Sequence, residues 1–190
     1  MDQRIVSVNV RHRAGKRSAD SAVAVEKSYQ GGMRKRSAGI LLFRFNNAAL
    51  EVLLVHPGGP YWANKDAGAW SIPKGEYSDD EDALAAAKRE FAEETGVNVE
   101  GEFLPLGEVR QAGGKIVQVW ALKGDLDPSL IRSNTFALEW PPRSGSVREF
   151  PEVDSARWFL MPVAKQKLLF GQREFLVRLC DRFGADAPSS

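Results

Sequence analysis

The chain has 190 residues, enough for one ordinary domain and a tail, and its 43% hydrophobic and 27% charged residues are the balance of a globular chain rather than a disordered one. The single cysteine, Cys180, excludes an internal disulfide framework, and with only His12 and His56 a Cys- or His-rich zinc site is excluded as well. A bound metal would have to be held by carboxylates, which favour a hard ion such as Mg²⁺ or Mn²⁺.

The longest apolar runs, such as 39–43 and 52–55, fall far short of a membrane span. A lone cysteine fits a reducing, cytoplasmic compartment. The net charge of +1 is unevenly spread: residues 1–36 carry nine Lys/Arg against three acids, net +6, which leaves −5 for the other 154. The same stretch has no Phe, Trp or Pro, so it reads as a basic, unfolded extension. Met33, just after Gly31-Gly32, is a second candidate start. A phosphate-binding arm or an organellar targeting segment are the other readings of that composition.

The folded domain is expected over 37–184, with 185–190 as a flexible end. Residues 38–43 form a continuous apolar run, the pattern of a central strand buried on both faces. Asn46-Asn47 predicts a turn and 50–56 a second strand paired with the first. Pro57-Gly58-Gly59-Pro60 opens a loop to about Ala69, and 70–73 is a short extended piece in which Trp70 packs into the core. Asp79-Asp80-Glu81 opens a helix that runs to Thr95, with Gly96 just past its end. Strands follow at about 102–110, 115–123, 135–140 and 156–161. Pro162 suits a first helical turn, and Phe175, Leu176, Leu179 and Phe183 fall at the spacing of a last helix closed by Gly184. Four to six strands and two or three helices, without regular βαβ alternation, predict an α/β chain of the α+β kind: a mixed central sheet flanked by helices.

The informative segment is 75–97. On a helix at 100° per residue, Leu84, Ala87, Phe91 and Thr95 share a core-facing arc, and Glu90, Glu93 and Glu94 crowd the arc beside it. These carboxylates sit near the helix C-terminus, the unfavourable end of the macrodipole for anions. Glu90 repels both Glu93 and Glu94 at i,i+3 and i,i+4, and neither of the latter has a Lys or Arg four residues on. A solvated acidic face is the bland reading of this cluster; a bound divalent cation is the one that compensates the local charge. The glycine after Lys74 would let the Lys74 carbonyl join such a site.

The spacing Gly75-x5-Glu81-x7-Arg89-Glu90-Phe91-x-Glu93-Glu94-x-Gly96-Val97 resembles the Nudix box, with Phe91 as an aromatic departure at a position that is usually aliphatic. A chance match of its seven fixed identities is roughly one in a billion per start position. The flanks are similar too: a strand pair precedes the box, Trp70-Ser71-Ile72-Pro73-Lys74 leads into it, and Glu152 to Phe159 resembles a late strand of the family. The Pro-Lys-Gly run also resembles the family's diadenosine polyphosphate hydrolases, and His56 to Ala63 resembles a run in a group of bacterial Nudix proteins.

The resemblance implies an α/β/α sandwich and water attack on the pyrophosphate of a nucleoside diphosphate linked to another group, with Mg²⁺ or Mn²⁺. By position, Glu90, Glu93 and Glu94 would be metal ligands, joined by Lys74 through its carbonyl. Arg89 would hold the carboxylates by ion pairing, Glu81 would brace the loop and helix, and Gly75 and Gly96 would permit a tight backbone. Glu152 is the chosen acid outside the box, with Glu149 as runner-up, and either Glu90 or that acid would be the base. Tyr61 and Trp62 would stack a base, while Lys65, Lys74 and Arg110 would meet phosphates. The partner implied is a small nucleotide, a (d)NTP or a dinucleoside polyphosphate, rather than a nucleic acid or a membrane; a homodimer is a common assembly of the fold. RNA 5′-pyrophosphate hydrolysis and a non-catalytic nucleotide-binding or regulatory role are the alternatives.

Overall fold

The computed structural model describes residues 35–111 and 113–183. The extension expected over 1–36 lies outside them except for Lys35 and Arg36, and so do Gly184 and the end at 185–190. The apolar run is the middle of β1 (Arg36–Asn46). Its side chains alternate between two separate cores: Ala38, Ile40 and Leu42 face one, Leu41 and Phe43 the other. That is why the run is apolar throughout instead of alternating with polar residues. A turn with Asn47 and Ala48 at positive φ leads to β2 (Ala49–Pro57), antiparallel to the C-terminal half of β1.

The N-terminal half of the same edge is taken by β3 (Lys74–Tyr77), in the register Ala38↔Gly75 and Gly39↔Lys74. The lead-in is stitched down on the way. Ser71 bridges Val55, the Pro73 carbonyl accepts from the Ile40 N–H (3.1 Å), and buried Gln172 accepts from the Ile72 N–H (2.9 Å). Helix α1 (Ala83–Thr95) then begins two to four residues later than the acidic run suggested, because Asp82 is the residue whose side chain caps it, accepting from the Ala85 N–H at 2.9 Å. Gly96 ends it in the left-handed conformation (φ 76°) with its N–H on the Ala92 carbonyl, 2.8 Å.

Strands β4 (Phe103–Arg110) and β5 (Ile116–Lys123) form a hairpin, and β5 lies parallel to β1 from Arg36↔Ile116 to Phe43↔Lys123. Next, β6 (Thr135–Glu139) and β7 (Val147–Pro151) pair only with each other. β8 (Val153–Leu160) returns to the main sheet beside β2, giving the order β4-β5-β1-β2-β8 with β3 also on β1. Helices α2 (Met161–Lys167), with Pro162 in its first turn, and α3 (Arg173–Phe183) close the fold.

Each face of the sheet carries its own helical layer. Ala86, Ala87 and Phe91 of α1 bury against Ile40, Leu42 and Leu53. Ala164 of α2 and Phe175, Leu176 and Leu179 of α3 bury against Leu41, Phe43, Leu54 and Val119. The mixed sheet flanked by helices on both faces is the α/β/α sandwich that was expected. Among the described residues eight strands replace the expected four to six: β3 falls in a stretch without strand signal, and β7 lies beyond the turn at 141–145. Both are short, β3 half-buried and β7 mostly exposed, and neither is long enough or apolar enough to leave a pattern to read. No described helix is long and apolar enough to cross a membrane.

Candidate active site

The box residues gather where β3 meets the C-terminal half of α1. Arg89 is the hub. Its guanidinium donates to both oxygens of Glu81 (Nε 3.0 Å, Nη2 3.2 Å), and its Nη1 reaches Glu90 (2.5 Å) and Glu93 (3.3 Å). Nη2 also meets the Glu76 carbonyl of β3 at 3.4 Å. Its pKa is raised, first by the hydrogen bond to Glu81. Glu81 therefore braces the arginine through a forked pair, while Glu90 and Glu93 lie on the arginine's other side.

Gly75 owes its identity to space rather than to backbone conformation. It sits in extended β3, and a Cβ there would fall 1.8 Å from Oε2 of Glu90. The missing side chain is a cradle for the Glu90 carboxylate. Gly96 is different: it needs both its positive φ and its missing side chain, since a Cβ would lie 2.8 Å from the Arg132 carbonyl.

Glu94 turns inward and accepts from the Lys74 N–H at 3.2 Å. The main-chain contact Lys74 makes with the box is thus through its N–H; its side chain is partly buried. Burial lifts the Glu94 carboxyl to about 8, with Lys74 opposing and the charges of Glu90 and Glu152 adding to the rise. Burial also raises Glu90, against the pull of Arg89, and it lowers the Lys74 ammonium, with Lys115 acting in the same sense.

Glu152 reaches this group from a distant part of the chain. The carbonyls left open at the end of α1 are met from outside: Asn134 N–H donates to Glu93 O and Arg132 N–H to Thr95 O, both 3.0 Å. Ser133 Oγ holds the Val153 main chain through two bonds, 3.0 and 3.1 Å. The Glu152 N–H donates to Asn134 O and the Glu152 carbonyl accepts from Gly58 N–H, both 2.9 Å. Glu152 is consequently within electrostatic reach of the box: burial raises its carboxyl first, then the charges of Glu90 and Glu93. Glu149 is exposed on β7, across from Ala137.

Four acids thus share one region with Arg89 as the cation that touches Glu90 and Glu93 directly. A set made only of carboxylate oxygens, three of them lifted by their neighbours' charge as well as by burial, fits a hard divalent cation. As they stand they are not drawn together: no three His, Cys, Asp or Glu among the described residues form a ready metal cluster, because Glu94 points at Lys74 N–H and Arg89 lies between Glu90 and Glu93.

The other expected ligand contacts are spread more widely. Tyr61 is 55% exposed and meets Trp140 edge to face at 5.3 Å. Trp62 packs against the core, with Lys65 Nζ 4.7 Å from its ring centroid. Lys65 lines a cleft that no box carboxylate lines. Arg110 is exposed at the end of β4, separated from β3 by β5 and β1. Trp70 is buried, as expected. Sequence reasoning missed Lys115, which pairs with Glu76 at 3.0 Å beside the box, and Trp140. The Gly113-Gly114 turn, which sets Lys115 just before β5 and beside the start of β1, was the one signal for Lys115; nothing in the sequence pointed to Trp140.

A protein-family model described as the NUDIX domain matches residues 33–179. The chain belongs to the Nudix family. That membership carries a general class, the hydrolases of nucleotide pyrophosphate links. The folded region is similar to the NUDIX domain of Shewanella oneidensis NrtR, solved with ADP ribose (18% identity, TM-score 0.55, 80% of this chain and 90% of that one). It is also similar to an Ap4A hydrolase of C. elegans (21%, TM-score 0.53, 79% and 98%) and a mutT/nudix protein of Listeria innocua (19%, TM-score 0.53, 79% and 94%). At these identities the likeness bears on the fold alone. An octanoyltransferase of Myxococcus xanthus is 34% identical over 112 residues, 58% of this chain. The match spans only 28% of that protein's length.

Proposed function

We propose that this Nudix protein hydrolyses the pyrophosphate link of a (d)NTP or a dinucleoside polyphosphate, using Mg²⁺ or Mn²⁺ held by Glu90, Glu93 and Glu94. The observation that carries this reading is the arrival of Glu152 beside the intact box, where its carboxyl feels Glu90 and Glu93. A divalent cation bound there would neutralise phosphate charge and lower the pKa of water. The chain's own residues have distinct tasks. Arg89 aims Glu90 and Glu93. Gly75 makes room for the Glu90 carboxylate. Glu152, anchored through its main chain, takes the proton from the attacking water, a role that needs reach and an ionised carboxylate. The Lys74 side chain meets a substrate phosphate, and exposed Tyr61 with neighbouring Trp62 gives the base a surface to stack on.

The octanoyltransferase match covers too little of that protein to carry acyl transfer to this chain. The solved relatives serve to choose substrates for a test. Phosphate or pyrophosphate release should be measured from dNTPs, Ap4A, ADP-ribose and 5′-triphosphorylated RNA, with Mg²⁺, with Mn²⁺ and with EDTA. The expected result is metal-dependent turnover of a dNTP or Ap4A that is lost in Glu93→Gln. Turnover that survives Glu93→Gln at equal metal would refute the site. Turnover of RNA alone would refute the substrate class.

A further inference from the structure

Away from the box, a cleft of about 330 Å³ opens on the face of the sheet that carries α2 and α3, where β8 and the end of β2 meet the loop after Gly58. That volume is at the lower end for small-molecule pockets. Its walls include Trp70 and Phe159, which belong to the α2/α3 core, whereas α1 packs on the opposite face.

The charges in this cleft do not cancel. Its two acids are already matched: Asp66 accepts from Lys167 Nζ and from Trp70 Nε1 (3.0 Å), and Asp154 meets His56 Nδ1 at 2.8 Å. Two of its cations are not. Among the described residues neither Lys65 nor Arg157 forms a salt bridge; Lys65 rests over Trp62, and the Arg157 guanidinium lies 5.8 Å from the Trp70 ring centroid. Ser155 and Arg157 are two apart on β8, so both point to this face, and the Ser155 hydroxyl has no protein partner among the described residues. Arg157 touches neither acid and acts on Asp66 only through space, behind Lys167 and Trp70. Two cations without an ion pair and a hydroxyl without a partner, beside acids that already accept hydrogen bonds, are the donor set of an oxyanion site. The cleft is larger than a bare phosphate, and its aromatic wall can cover a small organic body.

We propose that this cleft is a second binding site, for a phosphomonoester, with the phosphate held by the Arg157 fork, the Lys65 ammonium and the Ser155 hydroxyl. The inference stands apart from the proposed reaction and does not need it. Phosphate chemistry could reach the cleft as inorganic phosphate or on a small organic carrier, and the test separates the two.

Isothermal titration of the full chain in EDTA, which keeps divalent cations from the box, would use inorganic phosphate and ribose 5-phosphate. One saturable site per chain is expected, tighter for ribose 5-phosphate. Arg157→Gln should weaken it about tenfold or more, and Arg157→Lys should restore part of the loss. Arg157 is exposed, so melting temperature should not change, and neither should metal-dependent turnover. Glu93→Gln should leave the binding intact. No saturable heat with either probe, binding indifferent to Arg157→Gln, or binding lost with Glu93→Gln would overturn the proposal. Equal affinity for the two probes would overturn the organic carrier.

Discussion

Gly75→Ala separates the site from the fold. The new methyl would sit 1.8 Å from Oε2 and 2.4 Å from Oε1 of Glu90, where ordinary contact begins at 3.4 Å. The carboxylate must therefore retreat by about 1.6 Å, and its 2.5 Å bond to Arg89 loosens with it. The fold loses little. Gly75 has extended backbone that alanine adopts freely, alanine in a strand regains about 0.5–1 kcal/mol of backbone entropy, and loosening a partly buried ion pair without removing either partner costs about as much in the other direction. Stability should thus stay within about 1 kcal/mol of wild type, measured by urea unfolding. Activity should not, because a reacting group misplaced by about 1 Å can cost about a hundredfold in rate. The assay is kcat/KM for metal-dependent hydrolysis of whichever nucleotide of the proposed panel turns over, with Mn²⁺ affinity followed by electron paramagnetic resonance. Activity within about threefold of wild type, at unchanged metal affinity, would show that the glycine is not a cradle for a working carboxylate.

The other predictions follow the same logic. Glu152→Gln should lower kcat by about 10²–10⁴ while Mn²⁺ affinity holds, as removing a proton acceptor requires, whereas Glu93→Gln should weaken Mn²⁺ as well; equal loss of Mn²⁺ affinity in both would make Glu152 a ligand instead. Saturating Mg²⁺ or Mn²⁺ should raise the melting temperature by stabilising the native state about 2.7 kcal/mol at a hundredfold excess over Kd, and a Glu90→Gln/Glu93→Gln double variant should lose that gain; an unchanged gain would place the cation elsewhere. Gly96→Ala should cost at least about 1–2 kcal/mol from left-handed backbone strain, with more from the Arg132 carbonyl 2.8 Å away, seen as a lower denaturant midpoint. Phe91→Ala should cost about 3–5 kcal/mol by opening a cavity under α1; a loss below about 1 kcal/mol would contradict its full burial.

Much of this site was legible because its chemistry is local in sequence. Glu81, Arg89, Glu90, Glu93 and Glu94 lie on or beside one helix, so periodicity alone predicts which of them share an arc. The two-faced burial of β1 was legible for a similar reason: a short apolar run without alternation marks a strand covered on both sides. What was lost is what depends on partners distant in the chain. Lys74 and Gly75 carry no strand signal because four residues are too few to show a period, yet they form a strand against β1. Gly75 looked like a backbone hinge, and its true constraint, the Glu90 carboxylate, comes from a side chain fifteen residues on. Lys65, expected near the phosphates, lines a cleft without box residues because its direction is set by Trp62 packing rather than by its place before the box. Trp140 gave no local sign that it would meet Tyr61.

The hairpin of β6 and β7 has a mechanical consequence. Its strands pair with nothing but each other, and four of the five residues of β7 are exposed. Its two ends, however, are tied together and to the rest of the protein through the Asn134–Glu152 bond, the Ser133–Val153 bonds and the Gly58–Glu152 bond. The arm can therefore breathe at little free-energy cost while its root stays fixed. Amide protons along 135–151 should exchange well ahead of those in β1 and β2, while the amide of Glu152 exchanges with the slow set. Trp140 belongs to the arm and Glu152 to its root, so Trp140 and the Tyr61 ring it meets can shift without displacing the carboxylate beside the box.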